Sequence, residues 1–339
     1  MLQPFKLAQH SRIFYSSDMR ALITGVNGFV GGHLAEQLLA CGSYRVFGVA
    51  RQPLPSLAQL RGQIEYVQAD LSDPQQTHAA LAEVAPDVIF HLAGQANVHR
   101  SFQDPTGTLQ TNVFAQLNLY QALIALNLSP LVLVACSNEI YGQVRPEELP
   151  LNEQTPLRPV SPYAVSKVTQ DLMAYQYFVS HKIRCVRLRP FNHIGPRQEE
   201  TFVASAFAAQ VARIEMGLQP PVLRVGNLSA ERDFTDVRDM VRAYDLAAQR
   251  AEPGCAYNIG SGRTVSIRWI LDTLVSLSQV PIEVEQDPAR MRPADVPRVV
   301  SDCRRFRHDT GWEPQIQLEQ TLLDILDHWR EVIRRDICD

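Results

Sequence analysis

A short apolar strand that runs into closely spaced glycines and then into a helix constrains the fold of this chain most strongly. Residues 20–25 form the predicted strand, and Gly25, Gly28 and Gly31 follow at a three-residue spacing. Glycine allows a tight turn and close approach of the backbone to a pyrophosphate, while the amphipathic segment 33–40 supplies free N–H groups at a helix N-terminus. This arrangement predicts a dinucleotide-binding α/β unit.

Further apolar segments alternate with helical ones through the first half of the chain. Continuous apolar strands separated by helices are typical of a parallel sheet that is covered on both faces. The predicted fold class is therefore α/β: a Rossmann doubly wound parallel sheet with helices on both faces, and a smaller C-terminal α/β substrate domain. The additional predicted strands are 45–49, 64–68, 87–92, 131–136 and 183–189.

Beyond residue 190 the alternation weakens, which divides the chain into three parts. Residues 1–18 are an N-terminal extension, 19–190 mainly form the nucleotide-binding domain, and 191–339 mainly form the substrate domain, interleaved with the first. The net charge of −4 argues against a nucleic-acid or anionic-membrane partner. Six scattered cysteines without a Cys-x-x-Cys pair argue against a zinc site and against a disulfide framework, and fit a reducing cytoplasm.

Three polar residues follow strands at the edge where such sheets bind ligands. Arg51 stands where a ribose-binding carboxylate is usual, and a guanidinium can pair with a 2′-phosphate, so NADP is favoured with NAD possible; alternatively Arg51 stacks on adenine or faces solvent. Asp70 either accepts from the adenine amino group or caps the helix that starts near Pro74. Ser137 either holds a substrate oxygen or caps its own turn.

Tyr163 and Lys167 are four residues apart, so they lie on one face of a predicted helix. A phenol has a pKa of about 10, and a neighbouring cation favours the phenolate. Lys167 is therefore expected to lower the pKa of Tyr163, which could then exchange a proton near neutral pH. Taken singly, the pair could also be a surface lysine beside a tyrosine at the start of a helix.

Four other polar residues divide into structural and ligand-binding candidates. His91 is predicted to be a packed strand residue, and Asn112 to be a structural amide that heads a long helix reaching residue 126. Arg232 and Arg292 are cations in the second half, and two fixed guanidiniums suit a diphosphate. The alternative for the two arginines is pairing with the neighbouring aspartates on a solvated face.

Taken together, these residues resemble the extended short-chain dehydrogenase/reductase family, whose members act on nucleotide-activated sugars. The resemblance implies an N-terminal Rossmann domain for the dinucleotide and a C-terminal domain for the sugar nucleotide. The matching segments extend across nearly all of 20–330: Gly25 to Gly31, 70–71, 91–93, Ser137, 141–142, Tyr163-x-x-x-Lys167, 189–192, 232–234 and 258–260. The implied cofactor-binding residues are the three glycines with Phe29, Val30, Arg51, Asp70, Leu71, Leu92, Ala93, Tyr163 and Lys167.

Segments 189–196, 225–239, 292–297 and 310–314 are similar to the GDP-sugar branch of that family, in particular to reductases of GDP-4-keto-6-deoxy-D-mannose. The resemblance implies reduction of the C4 keto group by NAD(P)H to give GDP-D-rhamnose. Tyr163 would protonate the alkoxide, Lys167 would hold the nicotinamide ribose, and Ser137 would orient the carbonyl. The residues implied for the GDP diphosphate are Asn192, Arg232 and Arg292. Family members usually dimerise through two helices, so a homodimer is also implied, through 112–126 and 161–180.

Three other functions stay open. A GDP-mannose 4,6-dehydratase would need a base for the C5 proton, for which Glu139 is the candidate; such dehydratases tend to carry Gln-Asp where this chain has Phe29-Val30. A nucleotide-sugar 4-epimerase would share Tyr163 and Lys167. An NADP-binding sensor of the same fold would lack the tyrosine or the lysine, both of which this chain keeps.

Overall fold

The computed structural model describes residues 19–52, 60–288 and 296–338. The strands in these ranges alternate with helices through most of the chain. They are β1 (Met19–Thr24), β2 (Tyr44–Ala50), β3 (Glu65–Gln68), β4 (Val88–His91), β5 (Leu131–Ala135), β6 (Arg184–Pro190), β7 (Asn192–Ile194), β8 (Val222–Val225), β9 (Glu231–Arg232), β10 (Phe234–Asp236), β11 (Ala256–Ile259), β12 (Val265–Ser266), β13 (Glu283–Gln286) and β14 (Arg298–Val299).

The helices are interrupted at one place by a π-helical turn, Gln110–Phe114, which joins the fourth helix to the fifth. Short 3-10 turns cover Asn138–Tyr141 and Pro146–Glu148. The α-helices are α1 (Phe29–Cys41), α2 (Pro74–Val84), α3 (Val98–Gln103), α4 (Pro105–Leu109), α5 (Ala115–Ala125), α6 (Pro162–His181), α7 (Val203–Glu215), α8 (Val237–Arg250), α9 (Ile267–Ser276), α10 (Arg304–Thr310) and α11 (Leu318–Cys338).

Seven strands form one sheet in the order β11-β6-β5-β4-β1-β2-β3, and every neighbouring pair in it is parallel. The order reverses between β1 and β4, which is the doubly wound Rossmann arrangement. The last residue of β1, Thr24, is level with Val49 of β2 and His91 of β4, so the carboxyl ends of these strands share one edge. The predicted fold class is confirmed.

Helices cover both faces of this sheet, as the continuous apolar strands require. One face packs on α1 and α8, with Leu34 and Met240 fully buried in its core. The other packs on α2, α5 and α6, with Leu81, Leu119 and Ala174 in its core. Burial of each large apolar side chain stabilises the fold by about 1.5–3 kcal/mol relative to exposure, so the sandwich of three layers supplies the main driving force.

A third core lies among α7, α9, α11 and β8, where Phe207, Ile270 and Leu326 are buried. Two small parallel pairs, β10 with β7 and β13 with β8, and the three-stranded sheet β12-β9-β14 belong to this second half. However, β11 and α8 also come from the second half and complete the main sheet and one of its layers. The division at residue 190 therefore remains a prediction, and residues 1–18 lie outside the described residues.

Two helix boundaries differ from those predicted. Helix α1 begins at Phe29, directly after the glycine turn, not at residue 33. Asn112 does not head its helix: the helical path begins at Pro105, where Asp104 caps the N-terminus by accepting from Gly107 N at 2.8 Å. Proline in the first turn after an aspartate is a strong start signal, and it outweighs the pattern around Asn112. None of the helices in 19–52, 60–288 and 296–338 is long and apolar enough to cross a membrane.

Candidate active site

The glycine turn needs glycine at two of its three positions for steric reasons. Gly25 has φ +74°, and a Cβ there would lie 2.9 Å from Ala93 Cα. A Cβ on Gly31 would lie 2.3 Å from Gly25 O, closer than any real contact. Gly28 donates from its N–H to Gly25 O at 2.9 Å and directly precedes α1. The turn thus brings a helix N-terminus and bare backbone to the edge of the sheet, where a pyrophosphate fits.

Thr24 ties this turn to the loop after β4. Its hydroxyl oxygen accepts from Leu92 N at 3.2 Å and Ala93 N at 3.1 Å, and lies 3.0 Å from His91 Nδ1. Because the oxygen already accepts from two N–H groups, we infer that the Thr24 hydroxyl donates its own hydrogen bond to His91 Nδ1. Thr24 was missed in the sequence, where the only signal is a polar residue at the end of an apolar strand.

His91 is a packed strand residue, as predicted, with 1% of its surface exposed. Burial, helped by the charge of Lys167, lowers the pKa of His91 to about 3. The imidazole is therefore neutral at physiological pH.

Arg51 and Asp70 lie at the outer part of the same edge. Arg51 is exposed directly after β2, and its neighbour Gln52 accepts from Asn27 of the glycine turn at 2.9 Å. Asp70 accepts from Ser72 N at 2.9 Å and Ser72 Oγ at 2.7 Å. The alternative that Asp70 caps α2 is wrong.

The cap of α2 is Asp73, which accepts from Gln75 N and Gln76 N and directly precedes the proline at the first helical position. The role of Asp70 at the adenine stays a prediction. Leu71 is 7% exposed and packs in the core beneath this edge.

Helix α6 presents Tyr163 and Lys167 inward. Ser161 caps the helix by accepting from Ala164 N at 3.0 Å. Tyr163 is 7% and Lys167 6% exposed, so the alternative of a surface pair is wrong. The ammonium of Lys167 donates to Ala135 O at 2.8 Å and lies 5.9 Å from the centroid of the Tyr163 ring. The helix is thereby joined to the carboxyl end of β5.

The predicted acidity of Tyr163 is wrong for the protein alone. Burial raises the pKa of Tyr163 well above its ordinary value, a hydrogen bond with Ser137 opposes this, and the negative charge of Glu139 raises it further. The ammonium of Lys167 donates to Ala135 O, and it does not reverse the rise that burial causes in the pKa of Tyr163. Tyr163 therefore carries its proton at neutral pH, as a proton donor must, but the raised pKa makes the phenol a weaker acid than a free tyrosine.

Ser137 caps its own turn, which is one of its two predicted roles, and its role at a substrate oxygen stays a prediction. Its oxygen caps the 3-10 turn by accepting from Glu139 N at 3.1 Å, and its hydroxyl also hydrogen-bonds Tyr163. Glu139 is partly exposed in that turn and close enough to Tyr163 to raise the pKa of the phenol. A serine hydroxyl and a tyrosine hydroxyl therefore meet at one point beyond the carboxyl edge.

Asn192 and Arg232, predicted to hold a diphosphate, lie on small strands of the second half. Asn192 begins β7, and its Oδ1 is buried without a hydrogen-bond partner among the described residues. Arg232 is half-buried on β9 and donates to Glu231 O at 2.9 Å. Its neighbour Asp233 is fully buried and accepts from Ser261 and Gly262 of the loop after β11. Arg292 lies outside the described residues.

An aromatic contact joins the two halves across the site. The ring of Phe29, in the glycine turn, stacks on His193 with centroids 6.1 Å apart and an interplanar angle of 5°. His193 follows Asn192 on β7 and was not singled out in the sequence. Val30, beside Phe29, is partly buried against the core. The stack places the segment that carries Asn192 over the predicted cofactor turn.

Asn112 is structural, as predicted, although its position in the helix differs. Its amide accepts from Gln95 N at 2.7 Å and donates to Ser166 Oγ at 2.8 Å. A π-helical turn often marks a functional region. This one carries Asn112, whose partner Ser166 lies on α6 between Tyr163 and Lys167 in the chain.

The model of one protein family, described as GDP-mannose 4,6 dehydratase, matches residues 22–325. The chain belongs to this family of extended short-chain dehydrogenases/reductases. The predicted family resemblance is confirmed.

The chain is similar over nearly its whole length to relatives that have different activities. It is 38% identical to a GDP-6-deoxy-D-mannose reductase of Pseudomonas aeruginosa, over 94% of this chain and 99% of that protein. It is 32% identical to a UDP-glucose 4-epimerase of Mycolicibacterium smegmatis, over 92% of this chain and 99% of that protein. The solved structure of RMD from Pseudomonas aeruginosa complexed with NADPH aligns with a TM-score of 0.82 and 36% identity, covering 93% of this chain and all of that one.

Proposed function

We propose that this protein reduces the C4 keto group of GDP-4-keto-6-deoxy-D-mannose with NADPH, giving GDP-D-rhamnose. The observation that carries the proposal is the buried, protonated Tyr163, hydrogen-bonded to Ser137 beyond the carboxyl edge of the sheet. Similarity over almost the whole chain to a GDP-6-deoxy-D-mannose reductase supports the choice of reaction. The NADPH in the similar RMD structure supports the choice of cofactor.

The residues of the glycine turn fit a dinucleotide, because a side chain on Gly25 or Gly31 would collide with the backbone that shapes the turn. When bound, NADPH supplies the hydride. Ser137 then orients the keto oxygen, and Tyr163 donates its phenolic proton to that oxygen as negative charge develops there. Lys167 would hold the nicotinamide ribose, and its ammonium lies 5.9 Å from the centroid of the Tyr163 ring. Asn192, Arg232 and Arg292 hold the diphosphate.

The function is tested by incubation with GDP-4-keto-6-deoxy-D-mannose and NADPH, with the absorbance of the reduced nicotinamide as the measurement. Loss of that absorbance and formation of a GDP-deoxyhexose are expected. A parallel incubation with GDP-mannose alone tests the dehydratase, in which Glu139 would be the base. Formation of a keto sugar from GDP-mannose, without NADPH oxidation in the first incubation, would replace the reductase by the dehydratase.

The lowered pKa of Lys167 leads us to expect that the rate of the reaction depends on pH. Burial lowers the pKa of Lys167 to about 8, so the side chain is an ammonium below that pH and neutral above it. Because the proposed role requires the charge, kcat is expected to fall as the pH rises through about 8. The measurement is kcat between pH 6 and 10, chosen as about two units on either side of the pKa.

The matched variant is Lys167→Arg, whose side chain keeps its charge at every pH in this range. Lower activity without the alkaline fall is expected. A fall of the same size at the same pH in both proteins would assign the titration to another group.

The positive charge of Arg51 leads us to expect a preference for NADPH over NADH. In Arg51→Asp, a carboxylate would repel the 2′-phosphate of NADPH and could accept from the ribose hydroxyls of NADH. The ratio of kcat/KM for NADPH to that for NADH is expected to fall by about 10- to 100-fold, or about 1.4–2.8 kcal/mol. Arg61→Asp, an exposed change of equal charge, is the control. An unchanged ratio in Arg51→Asp would remove this residue from the phosphate site.

We further propose a homodimer formed through α5 and α6. Large apolar side chains are exposed along these helices and beside them, and apolar patches on a soluble fold mark interfaces. They are Phe102, Phe114, Ile124, Val165, Leu172, Tyr175 and Val179, each at least 43% exposed. A cytoplasmic location is part of the same proposal, since Cys41, Cys136, Cys185, Cys255 and Cys303 are free thiols.

Leu172→Glu is expected to dissociate the dimer, because it places a charge in the centre of the apolar face of α6. The side chain is 52% exposed in the single chain, so folding should persist. The mass in solution, from light scattering after gel filtration, is the measurement. Leu218→Glu, at a 57% exposed leucine away from these helices, is the control and should leave the mass unchanged. Equal masses for both variants and the unaltered chain would contradict this interface.

A further inference from the structure

We propose that Arg189 and Tyr141 are positioning residues, which hold the turn that carries Ser137 in register with the helix that carries Tyr163 and Lys167. The inference rests on the proposed reductase function, because it concerns the geometry of that reaction. It assigns a role to a network of buried polar groups that neither binds the substrate nor takes part in the proton transfer.

The network begins on α6 at Asp171. This residue lies one helical turn beyond Lys167 and two beyond Tyr163, so the three side chains share one face of the helix. Asp171 is fully buried. Its carboxylate accepts from Arg189 Nε at 2.8 Å and Arg189 Nη2 at 3.0 Å, and also from Arg187 Nη1 at 2.9 Å. Both arginines belong to β6, so the pairs attach α6 to the sheet.

Arg189 extends the network to the turn after β5. Its Nη1 donates to Tyr141 Oη at 3.1 Å and to Glu153 O at 2.9 Å. Tyr141 closes the 3-10 turn that Ser137 caps, and it is 1% exposed. The phenol of Tyr141 donates in turn to Asn258 Oδ1 on β11 at 2.6 Å.

One guanidinium therefore contacts both segments that bear the proposed catalytic hydroxyls. Its fork makes two parallel bonds to Asp171, which fixes the orientation of the group, and its remaining N–H groups fix Tyr141. A lysine could supply the charge but not this geometry.

The buried network of Asp171, Arg189 and Tyr141 is better explained by the positions that it gives to Ser137 and Tyr163 than by a contribution to the free energy of unfolding. Buried ion pairs add little net stability, because the cost of taking the charges out of water offsets their attraction, and apolar side chains of equal volume often stabilise as well. The contact between Ser137 and Tyr163 depends on the relative position of two separate segments. A misplacement of about 1 Å between reacting groups can cost about 100-fold in rate.

Tyr141→Phe removes one hydroxyl from the network and keeps the ring. We expect kcat to fall by about 10-fold, with the KM for the keto sugar and the Kd for NADPH changed less than about twofold, because the turn shifts while the binding groups remain. Arg189→Lys keeps the charge and removes the fork, so a larger fall in kcat in the same direction is expected.

The matched control is Tyr257→Phe. Tyr257 is also fully buried, and its hydroxyl donates to Asp309 at 2.8 Å and accepts from Glu252 N at 3.0 Å. It neighbours Asn258 on β11 and points to the opposite face of the sheet. We expect a loss of Tm similar to that of Tyr141→Phe, with kcat within about twofold of the unaltered enzyme.

The outcomes separate this inference from the function on which it rests. Failure of the unaltered enzyme to oxidise NADPH with the keto sugar contradicts the reductase proposal. An active unaltered enzyme with an unchanged kcat in Tyr141→Phe, or equal falls of kcat in Tyr141→Phe and Tyr257→Phe, contradicts the positioning role alone. A selective fall in kcat for Tyr141→Phe at matched Tm supports it.

Discussion

Tyr163→Phe is expected to lower kcat for NADPH oxidation by about 10²–10⁴-fold, the range typical for loss of a general acid. The change removes the only proton donor that the proposed mechanism assigns to the keto oxygen, while the ring and its packing remain. Because the glycine turn is untouched, NADPH should bind with a Kd within about twofold of the unaltered enzyme. Stopped-flow or steady-state absorbance measures the rate, and quenching of protein fluorescence measures the binding.

Tyr177→Phe is the matched control for this experiment. Tyr177 lies on the same helix, is 6% exposed, and accepts from Gln121 Nε2 at 2.6 Å through its hydroxyl. Its loss should affect stability and leave kcat nearly unchanged. If Tyr163→Phe kept more than about a tenth of the original kcat, the proton would have to come from elsewhere, and the assignment of Tyr163 would be wrong.

Gly31→Ala is expected to weaken NADPH binding by at least about 100-fold, or about 2.8 kcal/mol, and to lower Tm. The added Cβ would lie 2.3 Å from Gly25 O and 2.8 Å from Val26 Cα. Both atoms belong to the backbone of the turn, so the clash cannot be relieved by a side-chain rotation. The turn must open, which moves the helix N-terminus away from the position where it meets the pyrophosphate.

Gly42→Ala, at the other end of α1, is the control: it shows whether the loss of NADPH affinity is specific to Gly31 or follows from replacing any glycine in a strained backbone. Gly42 has φ +65° and no atom within 4 Å of the added Cβ. The cost there is confined to the left-handed backbone, about 1–2 kcal/mol, and NADPH binding should persist. Equal losses of NADPH affinity in the two variants would show that Gly31 has no special place in the cofactor site.

Local patterns in the sequence were enough for the elements with strong start and stop signals. The strand before the glycine turn, the alternation of strands and helices, and the shared helix face of Tyr163 and Lys167 depend on periodicity and on the stereochemistry of glycine, which neighbouring residues determine. Asp70 shows the limit of this approach. The sequence offers two aspartates near the start of α2, and only the hydrogen bonds of the structure show that Asp73 is the cap.

The pKa of Tyr163 shows a second limit. A cation one turn away predicts a lower pKa, yet the phenol is buried, and the lysine donates to Ala135 O, a partner on another strand. The spacing of two residues along a helix says nothing of the solvent around them or of the acceptor that one of them finds across the fold.

By itself, the amino-acid sequence determined the doubly wound sheet, the dinucleotide turn and the family, because each of these depends on short local patterns, either one of them or a series of them along the chain. Only the tertiary structure decided which groups are buried, that Thr24 holds the loop after β4, and that Arg189 connects α6 to the turn that bears Ser137. Burial and hydrogen bonds between distant segments arise when the chain packs, and the free energies that set protonation and position in the site depend on those contacts.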